Sequence, residues 1–122
     1  MKLTEEFALE GKSFVYIDLS KIYMKEYIEN PFEVIKSVIA KYPANSLYTI
    51  TNVAGVRFDS ELKEILTDYV ASNKRYVKYG AVIGMDGIKK IIAQSIIKIS
   101  GRTNLLFAFS KENAIELLLQ QR

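Results

Sequence analysis

The sequence predicts a small α/β domain built on a largely parallel sheet, and three observations carry the prediction. Its 122 residues suit a single core, because domains usually take roughly 100–150 residues. Its composition, 49% hydrophobic and 25% charged, is that of an ordinary globular chain. Short apolar, β-prone runs alternate with longer segments of helical period, the pattern of successive βα units. No repeat, low-complexity tract or Gly/Ser/Pro-rich linker divides the chain.

Four βα units are predicted, in order. The first strand is Phe14 to Leu19, leading through Asp18-Leu19-Ser20 into a polar connection with Tyr23 and Tyr27. Asn30-Pro31 then starts a helix, with Asn30 as N-cap, Pro31 at the first position and Glu33 completing a capping box. Phe32, Ile35, Val38, Ile39 and Tyr42 form its inner stripe, and Pro43 ends it. A second strand spans Leu47 to Val53. After the Ala54-Gly55 turn a helix starts near Asp59-Ser60 and places Leu62, Ile65, Leu66, Tyr69 and Val70 on one face. The third strand, Tyr79 to Ile83, is continuously apolar, as a strand covered on both faces, or on one face and by a neighbour, is. Gly84-Met85-Asp86-Gly87 breaks it, and a helix from Ile88 to Ser100 follows, closed by Gly101. Leu105 to Phe109 is the fourth strand, and Ser110 caps a last helix with Glu112 in its first turn. The first dozen residues leave two alternatives, an antiparallel edge strand or irregular chain.

Cysteine, histidine and tryptophan are absent. This excludes cysteine nucleophiles, zinc sites built on sulfur or imidazole, and histidine acid/base chemistry. No cofactor is expected. Met1 to Phe7 hold no apolar core of signal-peptide length, and no stretch approaches the roughly 20 apolar residues that span a bilayer. A cytoplasmic protein is expected.

The net charge of +3 is unevenly distributed. Between Lys74 and Arg102 seven basic residues, among them Lys78, Lys89, Lys90 and Lys98, meet a single acid, Asp86. Such a field suits an anionic ligand, an acidic protein face or a membrane surface, or simply serves solubility. Projected at 100° per residue, Ile88, Ile91, Ile92, Ile96 and Ile99 share one arc, expected to cover the sheet. Lys90 and Ile97 fall opposite, where an exposed patch would serve homodimerisation, partner docking or membrane contact. Tyr76 and Tyr79 among Lys74, Arg75 and Lys78 read as a basic lead-in to a buried strand rather than a nucleic-acid platform.

Ligands of open α/β sheets bind beyond the carboxyl ends of the strands. Asp18, Ser20, Asn52, Gly55, Asp59, Ser60, Gly84, Asp86, Gly87 and Ser110 are predicted to gather there, as helix caps and turns or as holders of a phosphate or metal. The Gly84–Gly87 turn lacks the glycine spacings of a nucleotide-binding loop.

The segment from Leu47 to Leu66, with Asn52-Val53-Ala54-Gly55-Val56-Arg57-Phe58-Asp59-Ser60, resembles the corresponding strand-turn-helix of STAS domains, the anti-sigma-factor antagonist or SpoIIAA-like class. The stretch from Lys74 to Gly84, the Gly87-Ile88-Lys89-Lys90-Ile91 helix start and Phe107 to Ala114 look like the divergent SpoIIAA-like branch, which is similar to CRAL-TRIO lipid-transfer domains. The likeness spans roughly residues 12–119. It implies a βα superhelix with a small, mostly parallel four- to five-stranded sheet and helices chiefly on one side. It also implies regulatory binding of a protein partner in place of catalysis, through Asp59, Ser60, Glu61, Gly84 and Asp86.

The chain departs from that pattern at one point. Switchable antagonists resemble Asp-Ser-Ser-Gly at this junction, the second serine accepting phosphate; here Asp59-Ser60 is followed by Glu61-Leu62. The acceptor is replaced by an acid, and a helix-capping role is expected for Ser60. The alternative function is binding of a lipid or small anionic ligand at a basic face or pocket near residues 88–100, with Lys78, Lys89, Lys90, Ile97 and Lys98 facing the ligand or membrane. A third reading is a hydrolase or transferase using Asp18, Asp59 or Asp86 with a divalent metal.

Overall fold

The computed structural model describes residues 3–21, 31–57 and 59–121. The chain opens with a hairpin, β1 (Thr4–Leu9) pairing antiparallel with β2 (Lys12–Asp18) across a two-residue turn at Glu10-Gly11. Both turn residues have positive φ, 49° and 76°, as the twist-matched hairpin turn requires. Of the two alternatives for the N-terminal residues, the edge strand is the one that forms. After a short 3₁₀ turn at Leu19–Lys21, the chain runs α1 (Pro31–Ile39), β3 (Leu47–Asn52), α2 (Ser60–Asn73), β4 (Val77–Ile83), α3 (Gly87–Ser100), β5 (Leu105–Phe107) and α4 (Lys111–Leu119). Asn30, Tyr23 and Tyr27, expected as a cap and in the preceding connection, lie outside the described residues.

The five strands lie in the order β1-β2-β3-β4-β5, parallel from β2 onward. The sheet is buried on both faces. On one side α1, α2 and α3 enclose a core of Val15, Ile17, Leu47, Phe32, Ile35, Ile39, Leu66, Tyr69 and Ile96. On the other, Ala114 and Leu118 of α4 close over Phe14, Tyr48, Ile50, Ala81 and Ile83. Helices thus lie chiefly on one side. Because side chains alternate across a strand, Phe14 and Val15 serve opposite cores.

An aromatic row crosses the α4 face. Phe7 stacks on Phe14 at 5.1 Å between centroids, Phe14 meets Tyr48 at 5.4 Å, and Tyr48 meets Tyr79 at 6.2 Å. These are cross-strand neighbours, the pairs that stabilise a sheet. Lys111, at the start of α4, lies 5.5 Å from the Phe7 ring and 4.7 Å from the Tyr16 ring.

Three boundaries differ from the sequence reading. α1 ends at Ile39, and Tyr42 leaves the helix to donate a 2.5 Å hydrogen bond to Glu6 of β1. Desolvation, and then Glu6, push the Tyr42 hydroxyl pKa up to about 12. β4 begins two residues early through a bulge: Leu47 pairs with Val77 and Tyr48 with Tyr79, leaving Lys78 as the extra residue. β5 ends at Phe107, because the Phe109 amide donates instead to Asn113 Oδ1 of α4. On α2, Ile65 faces outward and Asn73 takes a buried place.

Candidate functional site

The loops at the carboxyl ends of the strands assemble as expected, and their polar atoms serve the fold. Asp59 Oδ1 accepts from the Leu62 amide at 2.8 Å and caps α2. Asp86 Oδ1 accepts from the Lys89 amide at 3.3 Å and caps α3. Ser110 Oγ accepts from the Asn113 amide at 3.0 Å and caps α4. Asp18 accepts from the Ser20 amide at 3.1 Å and from the Ser20 hydroxyl. Asn52 accepts from the Ala54 amide at 3.0 Å, and Gly84 closes against both residues.

Asp18, Asp59 and Asp86 therefore sit on separate turns, and among the described residues no three acidic side chains group to hold a metal ion. Ser60 and Glu61 occupy the exposed first turn of α2, free of the capping role expected for Ser60, which Asp59 takes. Asp59→Ala is expected to lower stability by about 1 kcal/mol, read by chemical denaturation, through loss of this cap.

The α3 helix divides its apolar residues differently from the single arc predicted. Ala93 and Ile96 are buried, Ile92 and Ile97 half-buried. Ile88, Ile91 and Ile99 are 77%, 68% and 66% exposed. The covered stripe lies roughly a quarter of a turn from the centre of the isoleucine arc. α3 roofs the end of the sheet where β5 has only three residues, and it packs sideways on α2. The small Ala93 is buried there, while Ile88, Ile91 and Ile99 face outward.

Ile97 turns toward the sheet, so the expected exposed Lys90–Ile97 patch does not form. Lys90 remains exposed, its ammonium 5.2 Å from the Phe107 ring. Lys89 and Lys90 lie in the first turn of α3, at the carboxyl end of β4, and Lys98 in its last turn. Lys78 sits half-buried in the β4 bulge at the opposite end of that strand from Lys89 and Lys90. The four lysines do not converge on one point.

A shallow groove runs along α2 from Ser60 through Lys63, Glu64, Thr67 and Asp68 to Ala71, where Ile99 and Ser100 of α3 border it. Beneath α3 lies a cavity of about 80 Å³, walled mainly by aliphatic side chains of β3, β4, α2 and α3. Five polar residues that sequence reasoning did not assign to a site line it, Thr49, Thr51, Tyr69, Asn73 and Arg102. A signal existed for Arg102. Gly101 ends α3 in the left-handed region (φ 78°), with its amide and that of Arg102 returning to Lys98 and Ile97 carbonyls. In that motif the residue after the glycine commonly packs back on the helix.

Comparison with protein-family models, with curated proteins and with solved structures gives no match. No helix among the described residues is long and apolar enough to cross a membrane.

Proposed function

We propose that the chain is a cytoplasmic, non-catalytic regulatory module of the STAS/SpoIIAA-like kind that binds a protein partner. The order of elements supports the kinship: an antiparallel edge strand followed by four βα units in a sheet of sequential order. One observation carries the binding role. The outer face of α3 exposes Ile88, Ile91 and Ile99, and clustered exposed apolar residues mark interaction sites where scattered ones do not.

The chemistry of the partner follows from what surrounds that face. Lys98 lies about two turns beyond Ile91 on the same side of the helix. Ile99 joins the face to the α2 groove that begins at Ser60. An amphipathic helix, apolar on one side and acidic along its border, fits this surface. Such a mode of recognition requires no reacting group, and the hydroxyl and carboxylates of Ser110, Asp59 and Asp86 are engaged in holding helix ends.

The test uses the purified full chain and a partner isolated with it, then reconstituted from purified components. Wild type is expected to form a stoichiometric complex that weakens with salt. Ile91→Glu is expected to weaken it at least tenfold, with its own unfolding free energy unchanged within about 0.5 kcal/mol, as at other exposed positions. Equal affinity of Ile91→Glu would overturn the proposal. So would sedimentation with anionic vesicles, or self-association in ultracentrifugation, as the only association that Ile91→Glu removes.

A further inference from the structure

We propose that the open edge of β5 binds an extended acidic segment of a protein partner, which joins the sheet as an added strand beside the lysines of α3. β5 is the last strand of the sheet, flanked by β4 alone. Asn104 and Ala108 turn backbone groups inward: the Gly80 amide donates to the Asn104 carbonyl and the Ala108 amide to the Val82 carbonyl, each at 3.0 Å. Successive residues of a strand direct these groups to opposite sides, so the N–H and C=O of Leu105 and Phe107 point outward. Among the described residues no backbone group meets them there. The ladder ends where Asn113 takes the Phe109 amide, and the Phe109 ring just beyond is 97% exposed. An open row of donors and acceptors with an apolar ring at its end suits strand addition.

The charge beside this edge selects the segment. Lys90, Gln94 and Lys98 are exposed and recur at four-residue spacing, so they share one side of α3. Ile99 and Ser100, on the other side of the helix, border α2. The Lys90 ammonium lies 5.2 Å from the Phe107 ring, which sets the row alongside β5. Among the described residues neither Lys90 nor Lys98 has an acidic partner. The opposite edge of the sheet differs, because Glu5 and Glu6 of β1 are held by Lys111 at 3.4 Å and Lys41 at 3.3 Å.

Lysines at a sheet edge deter pairing with a like edge and favour an acidic one. A second copy of this chain at β5 would bring two Lys90–Lys98 rows against each other, so the occupant is a different chain. Its side chains alternate across the sheet. Those on the α3 side, level with Leu105 and Phe107, meet the lysines and are acidic. Those between them lie beside the half-buried Leu106 on the α4 side and are apolar. This site is separate from the isoleucine face of α3, since backbone groups of β5 make the main contact.

A blocked hexapeptide alternating glutamate and valine is the probe, titrated into the full chain and followed by amide chemical shifts and hydrogen exchange. It is expected to saturate, with the largest shifts at Leu105, Phe107 and Phe109 and with slowed exchange of the Leu105 and Phe107 amides. The same peptide with lysine in place of glutamate should bind roughly tenfold more weakly or worse. Its fully N-methylated form, which has no backbone donors, should not saturate. The double variant Lys90→Glu/Lys98→Glu should reverse the preference and bind the lysine peptide more tightly; the comparison of peptides on wild type carries the test where that variant does not fold. Absence of saturation, shifts centred on β1, unchanged exchange at Leu105 and Phe107, or equal affinity for the lysine or N-methylated peptide would each overturn the proposal. So would an unreversed preference in the folded double variant, or dimerisation in ultracentrifugation that protects the same two amides without peptide.

Discussion

Phe14→Ala is expected to cost about 3–5 kcal/mol of stability, the range for truncating a fully buried phenylalanine. Phe14 is 0% exposed, stacked on Phe7 and tilted against Tyr48, with Ala114 and Leu118 closing over the same cluster. Its neighbours on β1 and β3 are fixed by ladder hydrogen bonds on both sides, so the gap cannot collapse cheaply. Two terms therefore add: loss of the transferred hydrocarbon and the cavity left behind. Urea denaturation should show the midpoint falling with an unchanged slope. Phe7→Ala, on the edge strand and half-buried, should lose clearly less. A loss below about 1 kcal/mol for Phe14→Ala would contradict the burial of the aromatic row on the α4 face.

Gly84→Ala is expected to cost about 3 kcal/mol, for two reasons that act together. The residue lies at φ 84°, where a side chain is strained. A Cβ there would also come within 2.6 Å of the Ala54 amide nitrogen and 2.8 Å of Asn52 Oδ1. The first contact is with backbone, so relief requires the β3–α2 and β4–α3 loops to separate. Gly55→Ala isolates the strain, because Gly55 has φ 73° with nothing within 4 Å of the added carbon. It should cost about 1–2 kcal/mol. Thermal unfolding of both variants checks the difference; equal losses would show that the two loops are not in contact.

Much of the architecture was legible because local signals agreed with one another. Pro31 at a helix start, Asp59, Asp86 and Ser110 as caps, and Gly101 as a terminator each act through backbone chemistry within a few residues. They need no tertiary context to be read. The orientation of α3 was not legible on the same terms. Five isoleucines on one arc point to a single buried face, yet the face that is covered is decided by how far the sheet extends, and β5 is short. Ala93, apolar but small, gave no sign that it would be buried while Ile88 and Ile91 were not.

The cavity residues were missed for a related reason. Arg102 read as one more cation in a basic stretch, and Tyr69 as one member of a helical stripe. Only the fold brings the end of α3 against α2, where the two side chains meet the same space. Asn104 was overlooked as well. Its amide donates to the Val77 and Lys78 carbonyls at 2.9 Å and 2.7 Å while accepting from Arg102. It ties the lead-in of β5 to the bulge of β4. Asn104→Ala is expected to lose about 2–3 kcal/mol in denaturation, because it removes the amide that donates to both carbonyls.

The partition of α3 into an inner edge and an outer isoleucine face underlies the proposed partner surface, and side-chain methyl NMR tests it most directly. With isoleucine δ1 methyls labelled and a soluble gadolinium chelate added, Ile88, Ile91 and Ile99 should broaden strongly while Ile96 stays sharp. Protection of Ile88, Ile91 and Ile99 equal to that of Ile96, in the monomeric chain, would contradict the account.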